Sequence, residues 1–194
     1  MRELTRRGAL VGLAAVSLAA PASARPRMQA LLNGRNLDGW SRLGDANWTV
    51  ANGIVSADHG AISFLVSERS FRDFDLVAEI WVSDDANSGV FIRCSDRSQV
   101  TADNAYEVNV YDQRPDPRYA TGAIVNVAPV SPMPRAGGRW SRMQVTARGD
   151  RFSVVFNGQT TVASATDARH AEGPIALQYG AGVVRFRRVD IRAL

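Results

Sequence analysis

One cysteine, two histidines and no lysine among 194 residues remove several kinds of chemistry before any motif is considered. Cys94 has no partner within the chain, so no intrachain disulfide can form, and neither a thiolate zinc site nor an iron–sulfur cluster can be built from one chain. Its simplest reading is a small buried apolar residue. His59 and His170 sit in loop-like contexts without a second histidine or a carboxylate at ligand spacing, which argues against a histidine-built metal site and against a Ser-His-Asp triad. All 23 basic residues are arginine, scattered rather than gathered into a stripe that could follow a phosphate backbone, so nucleic acid is not an expected partner.

Long apolar runs are also scarce. Beyond the N-terminus nothing approaches the ~20 apolar residues that a spanning helix needs, and no membrane anchor is expected. At the N-terminus, Thr5-Arg6-Arg7-Gly8-Ala9-Leu10 leads into an Ala/Val/Leu/Gly run to Ala20 and then Pro21-Ala22-Ser23-Ala24. That order reads as an export signal over residues 1–24, cleaved after about Ala24 and directing the protein to the periplasm or out of the cell. The paired arginines resemble a twin-arginine signal, although Ala9 stands where a bulky residue is usual; an ordinary secretory signal is the other reading. Setting Arg2, Glu3, Arg6 and Arg7 aside lowers the formal net charge from +4 to about +2. Residues 25–30 then form a short linker and 31–194 a single domain, large enough to bury a real core. The sequence leaves the oligomeric state open.

Amphipathic helical periodicity is missing too, and what fills the chain from Leu31 is short β-rich runs between turn clusters. Phe74 to Val82 alternates strictly, with Phe74, Leu76, Ala78, Ile80 and Val82 on a core face and Asp75, Val77, Glu79 and Trp81 on the other. Gly89 to Cys94 places Val90 and Ile92 inward and Phe91 and Arg93 outward, and Tyr106 to Asp112 sets Tyr106, Val108 and Val110 against Glu107, Asn109 and Tyr111. Further strands are expected at Arg142 to Ala147, Phe152 to Phe156, Ile175 to Gln178 and Val183 to Ile191, with Asn157-Gly158 as a hairpin turn. The proline-bearing segments Arg114 to Tyr119 and Pro129 to Gly138 cannot be strand interiors and are expected as long surface loops. The pattern predicts an all-β fold, a two-sheet antiparallel jelly-roll β-sandwich.

Without histidine clusters, acid–base work falls to carboxylates. Glu79, Glu107 and Asp112 are the candidates, because each lies in or at the end of a strand. If their strands are neighbours, Glu79, Arg93 and Glu107 meet on one face, with Trp81, Phe91, Asn109 and Tyr111 around them. Aromatic faces beside carboxylates, amides and a guanidinium suit a sugar, whose C–H faces stack while its hydroxyls form hydrogen bonds. The plain alternative is a solvated outer sheet face, with one carboxylate paired to Arg93.

Several separated motifs give this reading a direction. Leu32-Asn33-Gly34-Arg35-Asn36-Leu37-Asp38-Gly39-Trp40 opens the set, followed by Trp48-Thr49-Val50 and Asn52-Gly53. Next come Phe71-Arg72-Asp73-Phe74-Asp75-Leu76 with Glu79, Asn87-Ser88-Gly89-Val90 with Arg93, Tyr106-Glu107 with Asp112, and Thr121-Gly122-Ala123-Ile124. Trp140, Asn157-Gly158, Gly173-Pro174-Ile175, Leu177-Gln178 and Phe186-Arg187 complete it. In this order they resemble the 3-keto-disaccharide hydrolase family, whose members have a concanavalin A-like jelly roll. There are departures: Val125 where tyrosine is common, Ser141 after Trp140 where asparagine is usual, and Tyr179-Gly180 in place of a frequent His-Gly.

The resemblance implies a small carbohydrate substrate whose ring already carries a ketone at C3. That ketone acidifies the C2 proton, so a base can start an elimination that releases the C1 substituent, and hydration then yields the 3-keto sugar. On this reading Glu107 is the base and Arg93 the group stabilising the enolate, with Glu79 and Asp112 as acid or orienting groups. Trp81, Asn109, Tyr111 and Gln178 would bind the ring. No cofactor is required, although Glu79, Glu107 and Asp112 could hold a divalent cation if they converged. Two other functions remain open: a non-catalytic carbohydrate-binding module, and an ordinary glycoside hydrolase working with two carboxylates.

Overall fold

A computed structural model describes residues 27–194, so the export segment expected over residues 1–24 lies outside the described residues. Those residues contain no helix, and the strands form two antiparallel sheets. One sheet has eight strands: β1 (Gln29–Ala30), β3 (Thr49–Ala51), β4 (Ile54–Ala57), β6 (Phe74–Val82), β9 (Trp140–Arg148), β10 (Arg151–Phe156), β11 (Gln159–Thr166) and β13 (Val184–Ala193). The other has five: β2 (Trp40–Leu43), β5 (Ser63–Phe71), β7 (Asn87–Ile92), β8 (Tyr106–Val110) and β12 (Gly173–Ala181). Across the first sheet the order is β11-β10-β9-β6-β13-β4-β3, with β1 also on β13, and across the second β2-β5-β12-β7-β8. Gln29 and Ala30, expected as linker, are thus pinned to the sheet opposite Ile191 and Asp190.

Alternation along the strands makes the sandwich. Phe74, Leu76, Ala78, Ile80 and Val82 of β6 turn inward as their spacing predicts, and so do Val90 and Ile92 of β7 and Tyr106, Val108 and Val110 of β8. Ile175, Leu177 and Tyr179 of β12 join them from the five-stranded side. Removing one of the larger buried rings, as in Phe74→Ala, is the kind of change that costs about 3–5 kcal/mol in a packed core. The β10–β11 hairpin closes at Asn157-Gly158, where φ is 50° and 81°, the paired positive values a two-residue type I′ turn needs.

Consecutive strands often lie in different sheets, and this decides where the polar residues go. β6 belongs to the eight-stranded sheet, between β9 and β13, whereas β7 and β8 are neighbours in the five-stranded one. Glu79 and Glu107 therefore occupy different sheets, and the expected meeting of Glu79, Arg93 and Glu107 on one face does not occur. Sequence alternation fixes which side of its own strand a residue faces, but not which strand lies alongside.

Candidate functional site

The outer face of the five-stranded sheet is the place where uncommitted polar groups collect. Gly89 on β7 stands opposite Asn109 on β8 and Gln178 on β12; one row along, Phe91 stands opposite Glu107 and Ala176. Phe64 and Val66 of β5 continue the face, with the Phe64 and Phe91 rings edge to face at 5.3 Å. Val100 and Ala105, from the loop between β7 and β8, pack with Phe64, Val66, Phe91, Cys94 and Ala176 in an apolar cluster separate from the main core. Half of the face is thereby apolar, beside the Gly89, Glu107 and Gln178 half. Burial pushes the Cys94 thiol up to about 12, which leaves it an inert packing residue.

Glu107 is the chemically unusual member of this face. Its carboxylate makes no hydrogen bond or ion pair with any described residue, and burial pushes its pKa up to about 7, with the Arg114 guanidinium pulling in the opposite direction. Next to it, the side-chain oxygen of Gln178 is buried and has no hydrogen-bond partner. The two groups flank one spot, since a Cβ placed on Gly89 would lie 3.4 Å from both Gln178 Oε1 and Glu107 Oε1. Glycine at this position leaves open a small polar niche, with an acid of near-neutral pKa on one side and an unsatisfied acceptor on the other. Buried acceptors are rarely left unpaired, so a ligand hydroxyl is the kind of partner Gln178 lacks.

The other expected site residues take different places. Arg93 leaves the strand alternation at a positive φ of 53°, just past the end of β7. Its side chain is 1% exposed and donates to the carbonyl oxygens of Arg72, Gly149 and His170 and to the Asp73 carboxylate, with the Phe152 ring 5.1 Å away. It therefore ties three loops together from inside and is not placed to stabilise an enolate at Glu107. Glu79 pairs with Arg187 at 2.6 Å and Arg188 at 3.8 Å, both within reach because a bulge in β13 inserts an extra residue between Phe186 and Arg188. Trp81 lies on that same outer face of the eight-stranded sheet, opposite Trp140 and under the Arg185 guanidinium at 4.4 Å.

Asp112 follows the end of β8 and is spent on structure. It accepts hydrogen bonds from the Thr121 hydroxyl at 2.6 Å and from the Ala136 and Gly137 amides at 2.9 Å. Asn109 shares the Glu107 face but its amide is also engaged, donating to Tyr119 O at 2.6 Å and accepting from Val110 N. Backbone bonds from Val125 N to Glu107 O and from Asn109 N to Ala123 O lay residues 122–125 along β8 and cover that sheet edge. Glu79, Glu107 and Asp112 do not converge, and among the described residues no three His, Cys, Asp or Glu side chains gather to hold a metal ion. The donor set does not fit a divalent cation.

Arg114 is the site residue that sequence reasoning missed. Its guanidinium lies 5.1 Å from the Tyr111 ring centroid and has no carboxylate partner among the described residues. Tyr111 itself, its amide held by the Thr121 hydroxyl, stands at the same end of the face. The available signal was a short one, an arginine three residues past the aromatic that follows the Glu107 strand, just before Pro115. The family departures fall mostly away from the niche. Tyr179 turns into the core, edge to face with Trp48 at 6.5 Å, and Ser141 accepts from Asn157 in the hairpin. Val125 acts here through its backbone.

A two-sheet jelly roll of galectin-like shape, with a partly buried acid and an unsatisfied amide on one outer sheet face, defines the class of protein. Within that class, the chain belongs to the 3-keto-alpha-glucoside-1,2-lyase-like domain family, whose pattern it matches over residues 27–192. A glycosyl hydrolase candidate from Parabacteroides distasonis superimposes with a TM-score of 0.72 at 20% identity, covering 87% of this chain and 100% of that one. A carbohydrate-binding module from Bacillus subtilis gives 0.65 at 21% identity, covering 80% and 96%. A Bacillus subtilis protein described as having a galectin-like fold gives 0.62 at 11% identity, covering 86% and 94%. No curated protein matches the chain. At these identities the solved structures speak for the fold alone.

Proposed function

We propose that the chain is an exported enzyme that cleaves 3-keto-glycosides by elimination and hydration, with Glu107 as the base. The observation that carries this reading is the Glu107 carboxyl itself: partly buried, without an ionic partner, and drawn up to about 7 by burial beside the orphaned Gln178 oxygen. A carboxylate near that value is ionised enough at neutral pH to take a proton and basic enough to hold it. Membership of the keto-glucoside lyase-like family supplies the substrate class, and the leader-like sequence over residues 1–24 supports export.

The steps balance without a cofactor. Glu107 takes the C2 proton, and the C–H electrons pass into a C2–C3 enolate whose oxygen was the C3 ketone. As the ketone re-forms, a C1–C2 double bond appears and the C1–O bond breaks, its electrons leaving with the aglycone oxygen. The protonated Glu107 returns a proton to that oxygen. Water then adds across the double bond, hydroxyl to C1 and hydrogen to C2, releasing the 3-keto sugar. In this reading Gln178 accepts a hydrogen bond from a ring hydroxyl held over Gly89, a role its unpartnered oxygen supports, and Arg114, the cation acting on Glu107, takes over the electrostatic role expected of Arg93.

Two-carboxylate hydrolysis of ordinary glycosides is less well supported, because Glu79 lies in the other sheet and Asp112 is consumed by loop hydrogen bonds. The fold shared with a carbohydrate-binding module motivates the non-catalytic reading. NMR of the purified protein in D2O, with a 3-keto-glucoside and its unoxidised parent, separates the three. Aglycone release from the keto compound alone, with deuterium at C2 and loss of turnover in Glu107→Gln, is the expected result. Cleavage of the parent would instead favour ordinary hydrolysis, and saturable binding without cleavage a binding module.

A further inference from the structure

Beside the Glu107 niche, at the C-terminal end of β8, the two proline-bearing loops enclose a cleft of about 260 Å³. Pro115, Met133 and Pro134 give it apolar walls, and Arg114 and Arg135 stand on it as the two cations. Met133 is 51% exposed, one of few large apolar side chains left open to solvent among the described residues. The side chain of the one acid lining the cleft, Asp112, is only 4% exposed and already accepts from Thr121, Ala136 and Gly137. Arg135 comes no nearer to it than 4.0 Å, with its own side chain 72% exposed. Arg114 links the cleft to the niche, since it lines the one, stacks on Tyr111 and acts electrostatically on Glu107 in the other.

We propose that this cleft is the leaving-group subsite and that it takes an aglycone with an aromatic ring and a carboxylate, the ring against Met133 and the prolines and the carboxylate against Arg135 and Arg114. The assignment rests on the keto-glycoside reading of Glu107 and adds to it the chemical class of the group expelled. Size agrees with one ring, since a cavity of about 150 Å³ already admits a benzene, whereas complete ligand pockets start near 300 Å³. Charge agrees as well: two guanidinium groups face one carboxylate that is desolvated and fully hydrogen-bonded, so the cleft carries an uncompensated positive charge. Guanidinium forks suit carboxylates because both are planar and can share two parallel hydrogen bonds.

The test compares kcat/KM for the 3-keto-glucosides of 4-hydroxybenzoate and of its neutral methyl ester. The ester is the better intrinsic leaving group, so preference for the acid has to come from recognition. A charge-assisted hydrogen bond contributes about 1.5–3 kcal/mol, which predicts a preference for the acid of roughly 10- to 150-fold. Arg135→Gln, an exposed position away from Glu107, should erase that preference by lowering kcat/KM for the acid to the level of the ester. Equal or faster cleavage of the ester by the parent protein, with no effect of Arg135→Gln, would overturn the assignment while leaving the keto-glycoside reading intact. If neither compound turns over, the reading of Glu107 fails, and calorimetric titration with free 4-hydroxybenzoate still decides the cleft. Binding weakened by Arg135→Gln would keep it as an aromatic carboxylate site, and no binding would remove it.

Discussion

At the residue scale, the contrast between Arg93 and Glu79 shows how two charged residues from neighbouring sequence motifs take unlike tasks. Arg93 is buried and holds three carbonyl oxygens and Asp73, so truncation leaves those acceptors unpaired around a cavity. Breaking a buried, hydrogen-bonded charge in this way costs about 3–5 kcal/mol. Glu79 sits in a half-open pair with arginines, where a substitution costs less than about 1 kcal/mol. Urea unfolding of Arg93→Met should therefore show a loss of about 3 kcal/mol or more, and Glu79→Gln very little. Equal losses would mean that the loops do not depend on Arg93. The two motifs follow one another closely in the sequence, but a positive φ at residue 93 and a sheet boundary between β6 and β7 are invisible in alternation alone.

At the element scale, the long stretch after β8 is a loop only in name. Residues 122–125 lie along β8, and Asp112 clasps the start of the stretch to Ala136 and Gly137 near its end. The clasp needs a carboxylate, since every donor is an N–H or O–H aimed at it, and Asp112→Asn presents an amide hydrogen to at least one of them. That exchange costs about 1–3 kcal/mol locally. Hydrogen exchange should accelerate in residues 112–138 of Asp112→Asn while protection in β6 and β9 persists; uniform acceleration through the sandwich would mean that the clasp supports the whole fold rather than the loops. Sequence reading placed these segments correctly as loops from their prolines. It assigned Asp112 to chemistry because the amides that consume its carboxylate lie more than twenty residues further on, where spacing gives no warning.

At the scale of the whole molecule, the core and the all-β class were legible because a period of two persists through Phe74 to Val82, Val90 to Ile92 and Tyr106 to Val110. The places of Glu79 and Trp81 were not, because sequential strands are spatial neighbours only about two-thirds of the time and β6 lies in the other sheet from β8. Of the carboxylates, Glu107 alone stands on a face shared with Gln178, and what singles it out is burial without a partner. That condition sets the fold against the site. In the unfolded chain the carboxyl ionises near 4.5, and in the folded protein near 7. Between those values the folded state holds a proton that the unfolded state has released, so stability falls as pH rises through the window and levels off above it. One unit of displacement corresponds to about 1.4 kcal/mol, and with partial exposure of the residue the net cost of the ionised form is about 2 kcal/mol. Glu107→Gln should therefore unfold at higher urea concentration than the parent at pH 8, and at the same concentration at pH 4. The same ionisation is what the base requires, so kcat/KM of the parent should climb about tenfold per pH unit towards 7 and then level. Parallel urea and pH–rate profiles test both arms: a Glu107→Gln protein less stable than the parent at pH 8 would mean that the carboxylate has a partner in solution and is not the strained base the elimination needs.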